Sequence, residues 1–280
     1  MPGLNEWIKI ENESCSFDFS DLKIWKKKEC IDYAVNRIVE KSKNLYLALS
    51  GGLDSEFVAN CLFDRGIQFT PIIMDIHSNR IENWYAHYWC YEKRIKPLII
   101  TMTEKDVVKS FSKIAEEKNI PFYCSIPIIL SEIVSQRDGN LILGGEEIID
   151  RDYFLSGEFT KMSEKISFCE YAFCVEQENS NHIGGFLSYT PELFLNCLEE
   201  IDYSKPGQLA LADYYEVLPR PKINANVNLS LLPVLKQLKN VLDKGRSVNI
   251  FEMENKDIFI ELAKKLKTIT IQAKEIRLAD

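Results

Sequence analysis

The chain has 280 residues, 46% of them hydrophobic and 11% aromatic, enough for a substantial core in one large domain or in a core with a smaller appendage. A formal net charge of -8 argues against the broad basic surface that nucleic acid requires and favours a small-molecule substrate. No apolar stretch approaches the roughly 20 residues that span a bilayer, and residues 1–6 lack the charged start and apolar middle of a secretory signal, so no membrane role and a cytoplasmic location are expected.

Residues 1–20 are polar and read as irregular, and Lys26, Lys27 and Lys28 read as a solvated face. Ile31, Ala34, Val35 and Ile38 then repeat at helical spacing. A short apolar run, Leu45-Tyr46-Leu47-Ala48-Leu49, reads as a strand that breaks into Ser50-Gly51-Gly52-Leu53-Asp54-Ser55. A helix follows with Phe57, Val58, Cys61 and Leu62 on one face, and Arg65-Gly66 supplies a cationic end and a stop. Residues 67–75 give a second strand, and an aromatic helix carries Trp84, Tyr85, Tyr88 and Tyr91, read as packing residues. Residues 97–100 give a third strand. Strand and helix alternate, which predicts an α/β fold with a doubly wound, mainly parallel, Rossmann-like sheet covered on both faces.

Further along, a helix is expected over residues 104–118, an extended piece over 121–127, and a helix through Ile133. The next apolar run ends in Gly144-Gly145-Glu146-Glu147. Ligands of open parallel sheets sit beyond the carboxyl ends of strands, so this end and the Ser50 loop are expected to share one crevice. Residues 153–159 and 166–175 read as two strands of an insertion, and Thr190-Pro191-Glu192 as a capped helix start running to about residue 200. A division into 1–200, an α/β domain with an N-terminal helix and hairpin insertion, and 201–280, a helical C-terminal appendage, follows from this pattern.

The loop at 50–55 concentrates the chemistry. Gly51 and Gly52 admit backbone conformations closed to residues with a Cβ and let an anion approach main-chain N–H groups at a helix N-terminus. A Walker loop needs a Lys after its glycines, a dinucleotide fingerprint needs a third glycine, and a nucleophile elbow needs Gly-x-Ser-x-Gly; none is present. An acid inside a phosphate cradle makes electrostatic sense when a cation such as Mg²⁺ bridges Asp54 to the phosphates.

The hexapeptide, in its strand-turn-helix setting, resembles the Ser-Gly-Gly-x-Asp-Ser loop of the ATP pyrophosphatase (PP-loop) superfamily, of the adenine nucleotide alpha hydrolase type. Asparagine, GMP and NAD synthetases, argininosuccinate synthase and tRNA-modifying enzymes belong to it. The resemblance implies that ATP and Mg²⁺ bind here, that AMP is transferred to a substrate oxygen with release of pyrophosphate, and that a nitrogen or sulfur nucleophile then displaces AMP. Ser50, Gly51, Gly52, Leu53, Asp54 and Ser55 would hold the pyrophosphate. Ile73, Met74 and Asp75, at the end of the second strand, would meet adenine through main-chain groups, although Met74 reads equally as core. Asp54, with Glu146 or Glu147, would hold the metal; the two glutamates also suit a solvated helix start. Arg220 and Lys222, bracketed by Pro219 and Pro221, would bring positive charge to the α-phosphate, in competition with an ordinary surface role, and Lys161 is a weaker choice.

Leu53 matches asparagine synthetase in motif. Such an enzyme begins with a glutaminase domain whose nucleophile is Cys at position 2, where this chain has Pro2. Ammonia would be free, come from a separate donor or be replaced by an amine substrate, and a homo-oligomer is left open. Two alternatives stand beside an AMP-forming ligase: a tRNA- or nucleobase-modifying sulfur or nitrogen transferase, and a non-catalytic adenine-nucleotide-binding protein. The eight cysteines contain no Cys-x-x-Cys pair, against the first and against structural zinc, and they read as scattered reduced thiols. Asp54 in the loop argues against the second. None of the three histidines is given a catalytic role.

Overall fold

The computed structural model describes residues 8–11, 14–17, 26–76, 80–103, 125–144, 182–187, 189–202, 204–205 and 207–217, with 105–106, 109–110 and 113 as isolated helical positions. The expected insertion strands at 153–159 and 166–175 lie outside these residues, as does most of the 201–280 segment.

Two short strands stand within the stretch expected to be irregular. β1 (Ile8–Glu11) and β2 (Ser14–Phe17) pair antiparallel, with Ile8 opposite Phe17 and Ile10 opposite Cys15. Alternation of apolar and polar residues over only four positions in each strand hides this ribbon in a polar context.

α1 (Lys27–Lys41) buries Cys30, Ile31, Ala34, Val35 and Ile38, the predicted stripe. β3 (Leu45–Ala48), α2 (Leu53–Phe63), β4 (Thr70–Ile76), α3 (Arg80–Lys93) and β5 (Leu98–Met102) follow as alternating elements. α2 buries the predicted Phe57, Val58, Cys61 and Leu62. It closes at Asp64, and Arg65 lies beyond the last turn, where it folds back to donate to the Cys61 carbonyl at 3.0 Å and pairs with Asp32 on α1. Gly66, at φ +66°, supplies the left-handed stop.

α4 (Ser125–Ser135) begins inside the stretch expected to be extended. Pro127 falls in its first turn, where the missing N–H has no intrahelical partner to lose, so the proline starts the helix instead of barring it. β6 (Asn140–Leu143), β7 (His182–Gly185), α5 (Pro191–Glu200) and α6 (Gly207–Tyr215) complete the described elements. Thr190 caps α5 by accepting from Leu193 N at 3.3 Å. β7, short and glycine-rich, carries no strand signal of its own and is defined by its pairing with β6.

The main sheet has the order β5-β4-β3-β6-β7, and every neighbouring pair is parallel. Alternate residues of β3, β4 and β6 enter two cores. Leu45, Leu47, Ile73 and Ile142 pack with α1, α2, α3, α5 and α6, whereas Ile72, Met74, Leu141 and Leu143 pack with α4 on the opposite face. The predicted doubly wound arrangement is thus the observed one. Leu47, wholly buried on the central strand, tests the larger core: Leu47→Ala is expected to cost about 2–5 kcal/mol, read as a lowered denaturation midpoint at unchanged slope.

The aromatic helix packs differently from expectation. Ala86, Trp89 and Cys90 form the inner face of α3, while Trp84, Tyr88 and Tyr91 are exposed. The two small residues let the Trp89 indole sit close to α2, where its Nε1 donates to Asn60 Oδ1 at 2.8 Å. Large aromatics drew the sequence reading to the wrong face.

Candidate active site

Chain order reverses between β3 and β6, whose connections leave the sheet in opposite directions, and an open parallel sheet forms its ligand crevice at such a switch point. The Ser50 loop leaves the carboxyl end of β3 and enters α2, while Gly144 stands at the carboxyl end of β6. Leu49 anchors the loop from below: it is buried, and its N–H donates to the Ile72 carbonyl of β4 at 2.8 Å.

The loop then turns on Gly51, at φ +87°, a conformation that a Cβ would penalise. Gly52 is the N-cap of α2, and its carbonyl accepts both the Glu56 N–H at 3.1 Å and the Ser55 hydroxyl at 3.0 Å. Ser50 Oγ accepts from Gly52 N at 3.3 Å and lies 3.2 Å from Ser55 Oγ. Both hydroxyls and the first turn of the helix therefore face one small volume, with the positive end of the α2 dipole directed at it.

Gly144 closes the other wall. A Cβ there would stand 2.6 Å from both the N and the Cα of Ser55, closer than real atoms approach. The absence of a side chain is what allows the end of β6 to lie against the first turn of α2, so the two glycine-containing strand ends do meet. The cleft between them has a volume of about 270 Å³. Ser50, Asp54, Ser55 and Gly144 form its polar rim, and Ile72, Met74, Ile126, Pro127, Leu130 and Leu143 its apolar wall.

Asp54 lies in the first turn of α2 and is half-buried. Burial raises its carboxyl above the usual carboxylate range, opposed by hydrogen bonds from the Tyr215 hydroxyl and from its own backbone N–H. Tyr215, 161 residues away on α6, donates to Asp54 Oδ1. Its ring stacks on Phe57, one turn beyond Asp54 on α2, at 4.4 Å between centroids and 18° between planes. Sequence reasoning missed Tyr215; only its place in an aromatic pair at the end of an apolar segment hints at burial.

α6 is held by more than this residue. Lys27, expected to be solvated, is mostly covered: its Nζ donates to the Tyr214 carbonyl, pairs with Glu216 at 2.6 Å and sits 4.8 Å above the Tyr214 ring. Lys26 and Lys28 are the exposed members of that run. The Tyr214 hydroxyl donates to Asn196 Oδ1 of α5 at 3.0 Å.

Of the residues expected at adenine, Met74 lines the cleft and its carbonyl accepts from Asn83 Nδ2 at 2.8 Å. The Ile73 side chain lies in the opposite core, and Asp75 continues β4 opposite Thr101. Glu146, Glu147, Lys161, Arg220 and Lys222 lie outside the described residues. Among the described residues no three His, Cys, Asp or Glu side chains gather into a metal-holding group, and no helix is long and apolar enough to cross a membrane. Among the described residues Cys30, Cys61, Cys90 and Cys197 are buried and form no disulfide, and burial pushes the Cys61 thiol up to about 12 and the Cys90 thiol up to about 11.

No protein-family model and no curated protein sequence matches the chain. Among solved structures, an NH3-dependent NAD synthetase from Campylobacter jejuni, in complex with nitrate ion, is 16% identical with a TM-score of 0.37, over 88% of this chain and 92% of that one. An NMN synthetase from Francisella tularensis is 13% identical with a TM-score of 0.34, over 80% and 95%. A predicted subunit of tRNA methyltransferase from Methanocaldococcus jannaschii is 16% identical with a TM-score of 0.34, over 65% and 93%. Likenesses this distant assign no activity. The fold rests on the sheet order, and the site on the loop. That loop stands between the central strand and its helix, at the switch point of a parallel sheet.

Proposed function

We propose that this chain is an ATP pyrophosphatase-type enzyme that adenylates a small molecule, releases pyrophosphate and passes the activated group to a nitrogen nucleophile. The observation that carries the reading is the crevice itself: a Ser-Gly-Gly-Leu-Asp-Ser turn at a helix N-terminus, closed by the bare backbone of Gly144 and floored by apolar side chains.

The residues fit the nucleotide. Gly51 and Gly52 leave room for an anion beside the main chain, and Ser50 and Ser55 place two hydroxyls there. The apolar wall of the same cleft suits a flat base, with the main chain at Met74 as its polar edge. Asp54, joined by Glu146 or Glu147, would hold Mg²⁺, and Arg220 and Lys222 would face the α-phosphate. When bound, the cation supplies charge neutralisation to the leaving pyrophosphate. An oxygen of the substrate carboxylate bonds to the α-phosphorus as the bond from that phosphorus to the bridging oxygen breaks. An amine then bonds to the acyl carbon, and AMP departs with the electrons of the acyl–oxygen bond. The α2 N-terminus stabilises the anion in the first step by geometry that is already in place before ATP arrives.

Product analysis tests the reading. With ATP, Mg²⁺ and pools of carboxylates and amines, the expected products are AMP and pyrophosphate in equal amounts. ADP with phosphate would contradict it, and tight ATP binding without turnover would favour a binding protein.

A further inference from the structure

α6, the last of the described helices, reaches the loop through the Tyr215 hydroxyl. Tyr215 donates to Asp54 Oδ1, and its ring lies flat on Phe57 of the helix that carries Asp54. The position of Tyr215 is not left to one contact. Its neighbour Tyr214 is tied to α5 through Asn196 and to α1 through Lys27, so three separate elements hold α6 in the place from which that hydroxyl reaches the carboxylate. Tyr215 is buried and Asp54 is half-buried, so the bond lies largely out of bulk water on the tyrosine side.

We propose that Tyr215 is a positioning residue for metal binding: it engages Oδ1 of Asp54, fixes the rotation of the carboxylate, and thereby assigns Oδ2 to the cation. The inference rests on the reading of the loop as an ATP site with Asp54 as a metal ligand. A carboxylate in the first turn of a helix has an sp² torsion with a broad, roughly two-fold preference, so without a partner it would spread over orientations that cannot all serve a cation bridging to phosphate. An outer partner that fixes such a ligand characteristically carries a share of the metal affinity comparable to a hydrogen bond to a charged group. The tyrosine acts through its contact with Asp54.

The test is a Mn²⁺ titration followed by electron paramagnetic resonance, with the full chain and pyrophosphate present, on wild type, Tyr215→Phe and Phe57→Leu, with thermal unfolding of the same samples. Tyr215→Phe keeps the ring on Phe57 and removes only the donor, so Mn²⁺ affinity is expected to fall about 10–100-fold with a small change in melting temperature. Phe57→Leu removes the stack and leaves the hydroxyl, so it is expected to lower the melting temperature more and Mn²⁺ affinity less. The opposed rankings separate orientation of a ligand from loss of packing. Equal or tighter Mn²⁺ binding by Tyr215→Phe would overturn the proposal, as would metal affinities that simply follow the melting temperatures. A wild-type protein that binds no Mn²⁺ in the presence of pyrophosphate would overturn the ATP reading and this inference with it, and is told apart because wild type itself is then silent.

Discussion

Asp54→Asn is expected to lower pyrophosphate release by at least about 100-fold while making the ligand-free protein more resistant to heat at neutral pH. The two effects share one cause. In the folded state burial raises the Asp54 carboxyl above its ordinary range, so the ionised form that the proposed cation would need is disfavoured by the fold. A carboxyl whose folded value is raised contributes stability fully below its unfolded value, and that contribution is lost as pH rises through the folded value. Wild type should therefore lose stability relative to Asp54→Asn as pH climbs from about 4 towards neutrality, where the asparagine variant is unaffected by this group. Thermal unfolding across that range checks the sign. A melting temperature difference that grows on the acid side would contradict it. Turnover should show the complementary trend, falling in acid at a pH above the usual carboxylate range, because a protonated Asp54 offers no charge to a cation.

Gly144→Ala is expected to cost about 1–3 kcal/mol of stability and about 100-fold in turnover, because its new methyl meets backbone instead of a side chain. At 2.6 Å from Ser55 N and Cα, nothing flexible can give way; the end of β6 and the first turn of α2 must separate, and the Ser50 and Ser55 hydroxyls move with them. Gly139, at the opposite end of the same strand, supplies the control. A Cβ there would come within 2.4 Å of the Tyr46 ring, so Gly139→Ala should also destabilise, but it strains the end of the sheet remote from the loop. The expected pattern is comparable loss of stability in both variants, with the drop in turnover and in ATP affinity confined to Gly144→Ala. Denaturation midpoints and ATP titrations of the pair decide it; equal turnover in the two would remove Gly144 from the crevice's shaping.

What the sequence disclosed follows from the range of the interactions. The Ser50 loop and its helix were legible because the signals are local: an apolar run, two glycines, and a stripe at Phe57, Val58, Cys61 and Leu62 lie within twenty residues. The shared crevice was legible as an expectation because parallel topology places strand ends together, and Gly144 meets Ser55 as that logic requires. Tyr215 was not legible, since nothing near it in the chain records a partner 161 positions earlier. Lys27 misled for the same reason: a lysine in a basic run reads as solvated until a distant carbonyl and a tyrosine ring are brought against it. α3 misled because size was weighed above fit, when Ala86 and Cys90 flank the one aromatic, Trp89, that the packing accepts. Pro127 misled because a proline bars a helix only beyond its first turn.

The order of strands also sets the order in which the crevice can come into being. Tyr46 of β3 pairs with Thr70 of β4, a closure of modest length, whereas Leu45 pairs with Asn140 of β6 across a loop about four times as long, which adds roughly 1 kcal/mol of closure entropy. The half-sheet β3-β4-β5 is therefore the part that a growing or refolding chain reaches first, and the wall supplied by β6 arrives afterwards. Until it does, the glycine turn is a loop on an open edge with no pocket beside it. On the proposed reading nucleotide capture belongs to the finished molecule and to no earlier stage, and recovery of ATP binding during refolding is expected to lag behind recovery of helical signal.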